Sequence, residues 1–315
     1  MSTLNVAVGV IKNKYGEILI SHRFQHQHQG GLWEFPGGKI ELGETPFQGL
    51  QRELSEELGI VIHSAKPLLK IKHHYDNLSV LLNVFLVEQY QGQAIGMEQQ
   101  KLQWVSTAEL ANFDFPLANR QIVETLGLDF FYPIVDDSLG DDNCMLTQLD
   151  ALIAAGYTMI QWRAKSLADE AFKTLAKRAL TRCKKTNVRL FLNTRMDLAR
   201  ALKAPAVHLS ANQLFSIKEA LPVDMLVAAS CHNKKELDQA QKLGVLFVVL
   251  SPVLKTKTHP NCSPIGWVRF KKLVDAVFLP VFALGGLSVS DREIAVRHNA
   301  QGISGIRGFV KETGC

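Results

Sequence analysis

Residues 38–60 read GKIELGETPFQGLQRELSEELGI. Thr45 is a good N-cap, Pro46 suits the first helical position, and Gln48 completes a capping box with Thr45, so the spacing predicts a helix that begins at Pro46. Gly59 is placed to end it. Phe47, Leu50, Leu54 and Leu58 recur at helical spacing and predict one buried stripe. Glu53, Glu56 and Glu57 fall together on another sector, at i, i+3 and i+4, where like charges repel. Three carboxylates so placed suit either a solvated face or a hard cation such as Mg²⁺ or Mn²⁺, which binds phosphates in turn. Gly49 lies one turn before Glu53. Glycine in a helix interior costs about 1 kcal/mol relative to alanine, so Gly49 is either an incidental weak spot or a gap left for metal and phosphate.

Outward from this helix the chain changes character near residue 128. Before it, 4–11 and 18–22 read as two strands around a turn at Asn13–Gly16, strand-like runs follow at 68–74 and 79–88, and a helix fits 117–126. After Phe130, eight β-rich runs (131–135, 158–162, 189–193, 206–210, 225–230, 245–251, 280–286 and 302–306) alternate with helical stretches such as 144–155, 167–185, 233–243 and 290–298. Eight such alternations are the arithmetic of a (β/α)₈ barrel, although a doubly wound open sheet also satisfies them. The expected domains are 1–128 and 130–315. The aromatic residues of 130–135 and 157–162 are expected in the barrel core.

Composition narrows the classes. Among 315 residues, 47% are hydrophobic and 21% charged, which excludes a disordered or collagen-like chain. The net charge of +5, from 35 basic and 30 acidic residues, suits a protein that handles anionic phosphates without demanding nucleic acid. No apolar run reaches membrane-spanning length, and Met1 to Val10 carries no basic region followed by a long apolar stretch, so neither membrane nor secretory signal is expected. Five scattered cysteines without a Cys-x-x-Cys pair argue against disulfides or zinc and for a reducing cytoplasm. His22, His26 and His28 sit in or near one loop and read as solvated rather than metal-bound.

Gly38-x5-Glu44-x7-Arg52-Glu53-Leu54-x-Glu56-Glu57-x-Gly59-Ile60 resembles the Nudix box at every defined position. The resemblance implies an α/β/α sandwich with a mixed sheet. It also implies hydrolysis of a nucleoside diphosphate linked to another moiety, with Glu53, Glu56 and Glu57 binding Mg²⁺ or Mn²⁺. Residues 7–11, Arg23, Glu34–Lys39, Gly43–Pro46, Leu86–Glu88, Trp104 and Phe115-Pro116-x-Ala118-Asn119 extend the likeness to the MutT branch, the 8-oxo-dGTP diphosphatases. What that implies is a sanitising pyrophosphohydrolase that converts 8-oxo-dGTP to 8-oxo-dGMP and pyrophosphate and so keeps the oxidised base out of replicating DNA. By the same resemblance Gly37 offers a carbonyl to metal, Glu98 adds a carboxylate from a loop, and Arg23, Glu34, Phe35 and Asn119 hold the nucleoside triphosphate. Either Glu53 or Glu98 accepts the attacking water's proton. Arg52 orients the glutamates or is a surface ion pair, and Lys39 reaches a phosphate or is solvated. Asn119 is either a helix N-cap or the reader of the base. Its amide can pair with both the N7 hydrogen and the O6 of 8-oxoguanine, whereas N7 of guanine leaves one side unpaired.

The later part of the chain resembles thiamin phosphate synthase and the related thiazole tautomerase branch. The residues concerned are Gln161–Lys165, Leu192–Ala199, Val207–Leu209, Ser230–His232, Pro252-Val253-x-x-Thr256-x-Thr258, Gly285-Gly286 and Ile306–Gly308. The likeness implies a (β/α)₈ barrel with its ligand at the C-terminal ends of the strands. Thr256, Thr258, Gly285 and Gly286 would cradle a thiazole phosphate; Arg163, Lys165 and Asn193 would face a pyrimidine pyrophosphate. His232 is either an acid/base or a buried structural histidine. The family's two metal-binding aspartates read Thr194 and Gln213 here, and its lysine after Thr-x-Thr reads His259, so the barrel is expected to bind a phosphate or dock a partner without acting as a synthase. The alternative is a thiamin-pathway protein whose Nudix half hydrolyses pyrimidine pyrophosphates and whose barrel binds thiazole phosphate.

Overall fold

The computed structural model describes residues 3–25, 29–75, 78–256 and 263–309, with backbone alone at 74, 75 and 78. His26, His28, Thr258 and His259 therefore lie outside the described residues. The chain divides into two compact units, Met1–Gly127 and Leu128–Cys315.

The first unit contains β1 (Thr3–Ile11), β2 (Ile18–His22), β3 (Trp33–Glu34), β4 (Gly37–Lys39), α1 (Pro46–Leu58), β5 (Lys66–Tyr75), β6 (Leu78–Val87), β7 (Leu102–Val105) and α2 (Leu117–Leu126). A mixed sheet runs β4-β1-β6-β5, and a second sheet runs β3-β2-β7. The expected turn forms: Asn13 Oδ1 accepts from the backbone N–H groups of Tyr15 at 2.9 Å and Glu17 at 3.0 Å, and Gly16 takes φ +85°. The strands around it do not form an extended hairpin. β1 is already flanked by β4 and β6, so no edge remains for β2, which joins the other sheet.

Period-2 alternation along β1 sends Val8 and Val10 into a core shared with Ala118 and Ile122 of α2. Gly9 faces the other way. A Cβ there would stand 3.2–3.3 Å from methyls of Leu54 and Leu50, so this glycine lets α1 settle on the sheet. Leu50, Leu54 and Leu58 are fully buried, each stabilising the fold by roughly 1.5–3 kcal/mol. Phe47 is only half-buried, edge-on to Phe85 at 6.4 Å. Both halves of the Thr45–Gln48 capping box are present, and Gly59 closes the helix at φ 67°.

The second unit has strands β8 (Phe131–Asp136), β9 (Met159–Arg163), β10 (Arg189–Asn193), β11 (Ala206–Leu209), β12 (Leu226–Cys231), β13 (Phe247–Leu250), β14 (Val281–Leu284) and β15 (Gly302–Gly305). Helices α3 (Asp142–Ala154), α4 (Asp169–Cys183), α5 (Met196–Ala201), α6 (Ala211–Ser216), α7 (Lys234–Leu243), α8 (Gly266–Val274) and α9 (Arg292–Arg297) lie between them. All neighbouring strands pair in parallel and β15 returns to β8, so the sheet closes into a barrel and the open-sheet alternative is excluded. Fewer than 190 residues suffice because α5, α6 and α9 have only six residues each.

Alternation also layers the barrel interior. Tyr132, Met159, Phe191, Phe247 and Phe282 fill one end. Two residues further along their strands come Ile134, Gln161, Asn193, Val249 and Leu284, which line the opposite mouth. Outward-facing residues such as Trp162, Leu190, Leu192 and Val248 meet the surrounding helices. One aromatic departs from expectation: Phe130 precedes β8, is 45% exposed, and lies under the guanidinium of Arg292.

Candidate functional sites

In the first unit, two adjacent glycines of β4 bring α1 onto the strand. At Gly37, with φ +142°, a Cβ would overlap the Ala7 carbonyl; at Gly38 it would overlap the Glu53 carboxylate. Gly37 N–H donates to Glu57 Oε2 at 3.1 Å. Arg52 organises the remaining carboxylates. Its Nε and Nη2 donate to the two oxygens of Glu44 at 2.8 and 3.0 Å, its Nη1 to Glu53 at 2.8 Å and Glu56 at 3.2 Å, and Nη2 also to the Lys39 carbonyl at 2.8 Å. This fork geometry is one lysine cannot reproduce. Held by Arg52 and by the Glu41 N–H, Glu44 falls to about 2.

Burial pushes Glu57 up to about 8; the Gly37 N–H opposes the shift, while Glu34, Glu53 and Glu98 add to it. Glu98 lies on an exposed loop tied to the end of α1: Met97 N–H donates to the Glu57 carbonyl at 2.9 Å, and Gln100 bridges the Glu57 carbonyl at 3.0 Å and the Glu98 N–H at 3.0 Å. As they stand, no three acidic, histidine or cysteine groups among the described residues converge closely enough to chelate an ion. Arg52 occupies Glu53 and Glu56 instead. The donor set nevertheless fits a hard divalent cation, because it is all oxygen and because Glu34, Glu53 and Glu98 add to the burial that raises Glu57, a repulsion that a cation would relieve.

Gly49 does not open this site. A Cβ there would meet Glu44 Oε2 at 3.2 Å and Ile40 Cγ1 at 3.3 Å, so it makes room for the 40–44 segment rather than for metal. Lys39 has an exposed side chain. Arg23 pairs with Glu34, whose carboxyl is raised by burial against the pull of Arg23. Phe35 is buried and stacks on Phe115, with centroids 5.2 Å apart and planes 13° off parallel, so a nucleotide would meet its main chain rather than its ring. Asn119 is not the N-cap of α2: the cap position is Pro116, and Asn119 is buried in the first turn. Its side-chain amide has no hydrogen-bond partner among the described residues. His22 packs edge-on against Trp33 at 5.0 Å.

In the second unit, the mouth of the barrel holds a cavity of about 730 Å³ at the C-terminal ends of the strands. Arg163, Lys165, Asn193, His232, Thr256, Gly285 and Gly286 all line it. Gly285 (φ +110°) and Gly286 (φ +70°) let the 252–255 segment lie on the end of β14, since a Cβ at either would press on Pro252 or on Leu254 and the Lys255 carbonyl. Arg163 pairs with the fully buried Asp136. Burial, and then Arg163, pulls the Lys165 ammonium below its usual range. His232 is half exposed, with Nδ1 2.9 Å from Glu236 Oε2, so it is not a buried structural histidine.

Thr194 and Gln213 are tied to each other. Thr194 takes φ 63°, a left-handed conformation that β-branched residues avoid. Its N–H donates to the His208 carbonyl at 2.8 Å, and its carbonyl accepts from Gln213 Nε2 at 2.5 Å. Gln213 Oε1 meanwhile accepts from the Ser210 N–H at 2.9 Å. Left-handed backbone costs roughly 1–2 kcal/mol for a residue with a Cβ, and glycine returns roughly 0.5–1 kcal/mol through unfolded-state entropy. Thr194→Gly is therefore expected to stabilise the barrel by roughly 0.5–1 kcal/mol, read from its denaturant midpoint. A lower midpoint would show that the threonine side chain contributes more than its backbone costs.

Sequence reasoning assigned no role to Glu44, Gln100, Lys255 or Arg307, although Glu44 and Arg307 stand inside motifs that were legible. Lys255 and Arg307 line the barrel cavity and add to its positive charge.

The family profile described as "NUDIX domain" matches residues 7–125, and that described as "Thiamine monophosphate synthase" matches residues 131–309, more than half of the chain. The 8-oxo-dGTP diphosphatase of Escherichia coli is 40% identical over 126 residues, which are 40% of this chain and 98% of that protein. That of Haemophilus influenzae is 37% identical over 123 residues, 39% of this chain and 90% of the relative. The thiamine-phosphate synthase of Fusobacterium nucleatum is 26% identical over 186 residues, 58% of this chain and 90% of the relative. With the carboxylate helix in one unit and the closed parallel barrel in the other, the chain belongs to the Nudix hydrolases through its first unit and to the thiamine monophosphate synthase family through its second.

Proposed function

We propose that the first unit hydrolyses 8-oxo-dGTP to 8-oxo-dGMP and pyrophosphate with Mg²⁺, Mn²⁺ substituting. The observation that carries this reading is the amide of Asn119, which has no hydrogen-bond partner among the described residues although the residue is only 8% exposed, in a unit that also holds the carboxylate face of α1. A base with a donor at N7 and an acceptor at O6 satisfies both sides of that amide. A cation held by Glu53, Glu56, Glu57 and the Gly37 carbonyl neutralises phosphate charge when bound. The protein's own residues do the rest. Arg52 holds Glu53 and Glu56 in place through its Nη1. Glu98, whose carboxylate has no hydrogen-bond partner among the described residues, takes the proton of the attacking water. Arg23 and Glu34 hold each other beside the Phe35 main chain, where they contact the nucleotide.

The barrel, on this reading, binds a small phosphate without transferring it. Arg163, Lys165, Lys255 and Arg307 supply positive charge to the cavity, while Thr194 and Gln213 supply no carboxylate for a metal that would neutralise a leaving pyrophosphate. A thiamin-related phosphate is the ligand that the family favours.

The test is pyrophosphate or phosphate release by the full chain with Mg²⁺ on 8-oxo-dGTP, dGTP, ATP and hydroxymethylpyrimidine pyrophosphate. The highest kcat/KM is expected on 8-oxo-dGTP, and no thiamin phosphate should form when thiazole phosphate accompanies the pyrimidine pyrophosphate. Preference for the pyrimidine pyrophosphate would replace the sanitising role with a thiamin-pathway one.

A further inference from the structure

The mixed sheet of the first unit has two faces. Val8, Leu69, Leu82 and Val84 belong to the core that includes α2. Gly9 and Phe85 turn the other way, Gly9 against Leu50 and Leu54 of α1 and Phe85 against Phe47. By the strand period of two, Asn5, Leu81, Asn83 and Lys70 share this α1 face. At the start of the helix they line a cavity of about 440 Å³, together with Ile40, Leu42 and Pro46. That volume lies within the roughly 300–1,000 Å³ usual for small-molecule sites. The cavity and α2, which carries Asn119, are on opposite faces of the sheet.

Asn83 is out of place as a packing residue. β6 lies inside the sheet, between β1 and β5, and asparagine is a poor strand former. Its cross-strand neighbours are Ala7 and Lys70, and the residue is 2% exposed. Asn83 Nδ2 donates to the Val6 carbonyl at 3.3 Å, but its Oδ1 has no hydrogen-bond partner among the described residues. A buried acceptor in that state carries a desolvation penalty, which a donor arriving through the cavity removes. The charge around the cavity is uneven. Of its two carboxylates, Glu44 is taken by Arg52 at 2.8 and 3.0 Å, which leaves Glu41 at the exposed rim. Lys70 lines the cavity from β5, and Lys72, two residues along and exposed, stands on the same face. Positive charge therefore prevails on the β5 side, and apolar surface on the side of Ile40, Leu42 and Pro46.

We infer that this cavity is a second ligand site, separate from the carboxylate face of α1, for a mononucleotide whose base carries an amino group. The amino group donates to Asn83 Oδ1, the ring lies against Ile40, Pro46 and Leu81, and the phosphate meets Lys70 with Lys72 beside it. Each part of the ligand answers one feature of the lining: a donor for the orphaned acceptor, a flat apolar body for the apolar wall, and an anion for the lysine edge. A ring without the amino group leaves Asn83 Oδ1 desolvated and unpaired, so the site discriminates by that one group. The inference does not depend on which substrate the hydrolase takes.

Calorimetry on the full chain without Mg²⁺ tests this with three probes: AMP, purine riboside 5′-monophosphate, which lacks only the amino group, and adenosine, which lacks only the phosphate. AMP should bind at least about tenfold more tightly than either of the others. Asn83→Leu, which keeps the bulk of the side chain, should erase the preference for AMP over purine riboside monophosphate. Lys70→Met combined with Lys72→Met, which keeps both stems, should erase the preference for AMP over adenosine and leave the first preference intact. The two lysines lie toward the surface, so this variant judges the site even if Asn83→Leu does not fold. Binding of AMP with the same two preferences in both variants would place the nucleotide elsewhere and overturn the inference. Equal affinity of the unaltered chain for AMP and purine riboside monophosphate, or no binding of AMP at millimolar concentration, would overturn it as well.

Discussion

Glu53→Gln is expected to lower kcat on 8-oxo-dGTP by about three orders of magnitude or more, a loss of roughly 4 kcal/mol of transition-state stabilisation, while thermal unfolding stays within a degree or two of the unaltered protein. The carboxylate of Glu53 lies under Gly38, where no larger group fits. Glutamine has the same shape and keeps that fit. Arg52 retains its two bonds to Glu44, so the scaffold around α1 stays in place. What disappears is one full negative charge beside Glu56 and Glu57, and with it the grip on a divalent cation. Steady-state kinetics across a Mg²⁺ titration, with a melting curve on the same sample, checks both halves of the expectation. Turnover near that of the unaltered chain would remove Glu53 from the machinery.

Asn119→Ala should erase selectivity rather than turnover. Asn119 lies in the first turn of α2 and its amide contributes no cap, so its loss costs the helix little. For 8-oxo-dGTP it removes a paired donor and acceptor, and KM should rise by about 10²-fold. For dGTP, whose N7 cannot satisfy the amide oxygen, the same substitution should raise KM only a few-fold. The ratio of kcat/KM values for the two substrates therefore falls toward one. Equal weakening of both would make Asn119 a general contact instead of the reader.

Much of this was legible where the determinants are local. The capping box, the leucine stripe and the three glutamates of α1 all lie within one short segment whose spacing encodes its faces. The eight barrel strands were legible through alternation with helices, but their number fits an open sheet as well as a closed one, and only the pairing of β15 with β8 decides between them. Features that depend on distant segments were not. That β1 would be flanked by β4 and β6, and so reject β2, is a property of the whole sheet. The packing that requires Gly49 was not legible because its neighbour is the 40–44 segment, which folds back over the helix. The hydrogen bonds by which His208 joins the Tyr132 hydroxyl at 3.1 Å to Ser230 Oγ at 2.9 Å were invisible because the three residues come from separate strands. Only closure of the barrel brings their inward-facing positions to one height.

Each unit is a single uninterrupted stretch of chain, and every residue invoked in either site belongs to its own unit. Translation of one message therefore delivers the two sites in a strict one-to-one ratio, whatever the level of expression. A cell that makes the hydrolase cannot vary the supply of the barrel independently, so any adjustment of one against the other has to act on occupancy rather than on abundance.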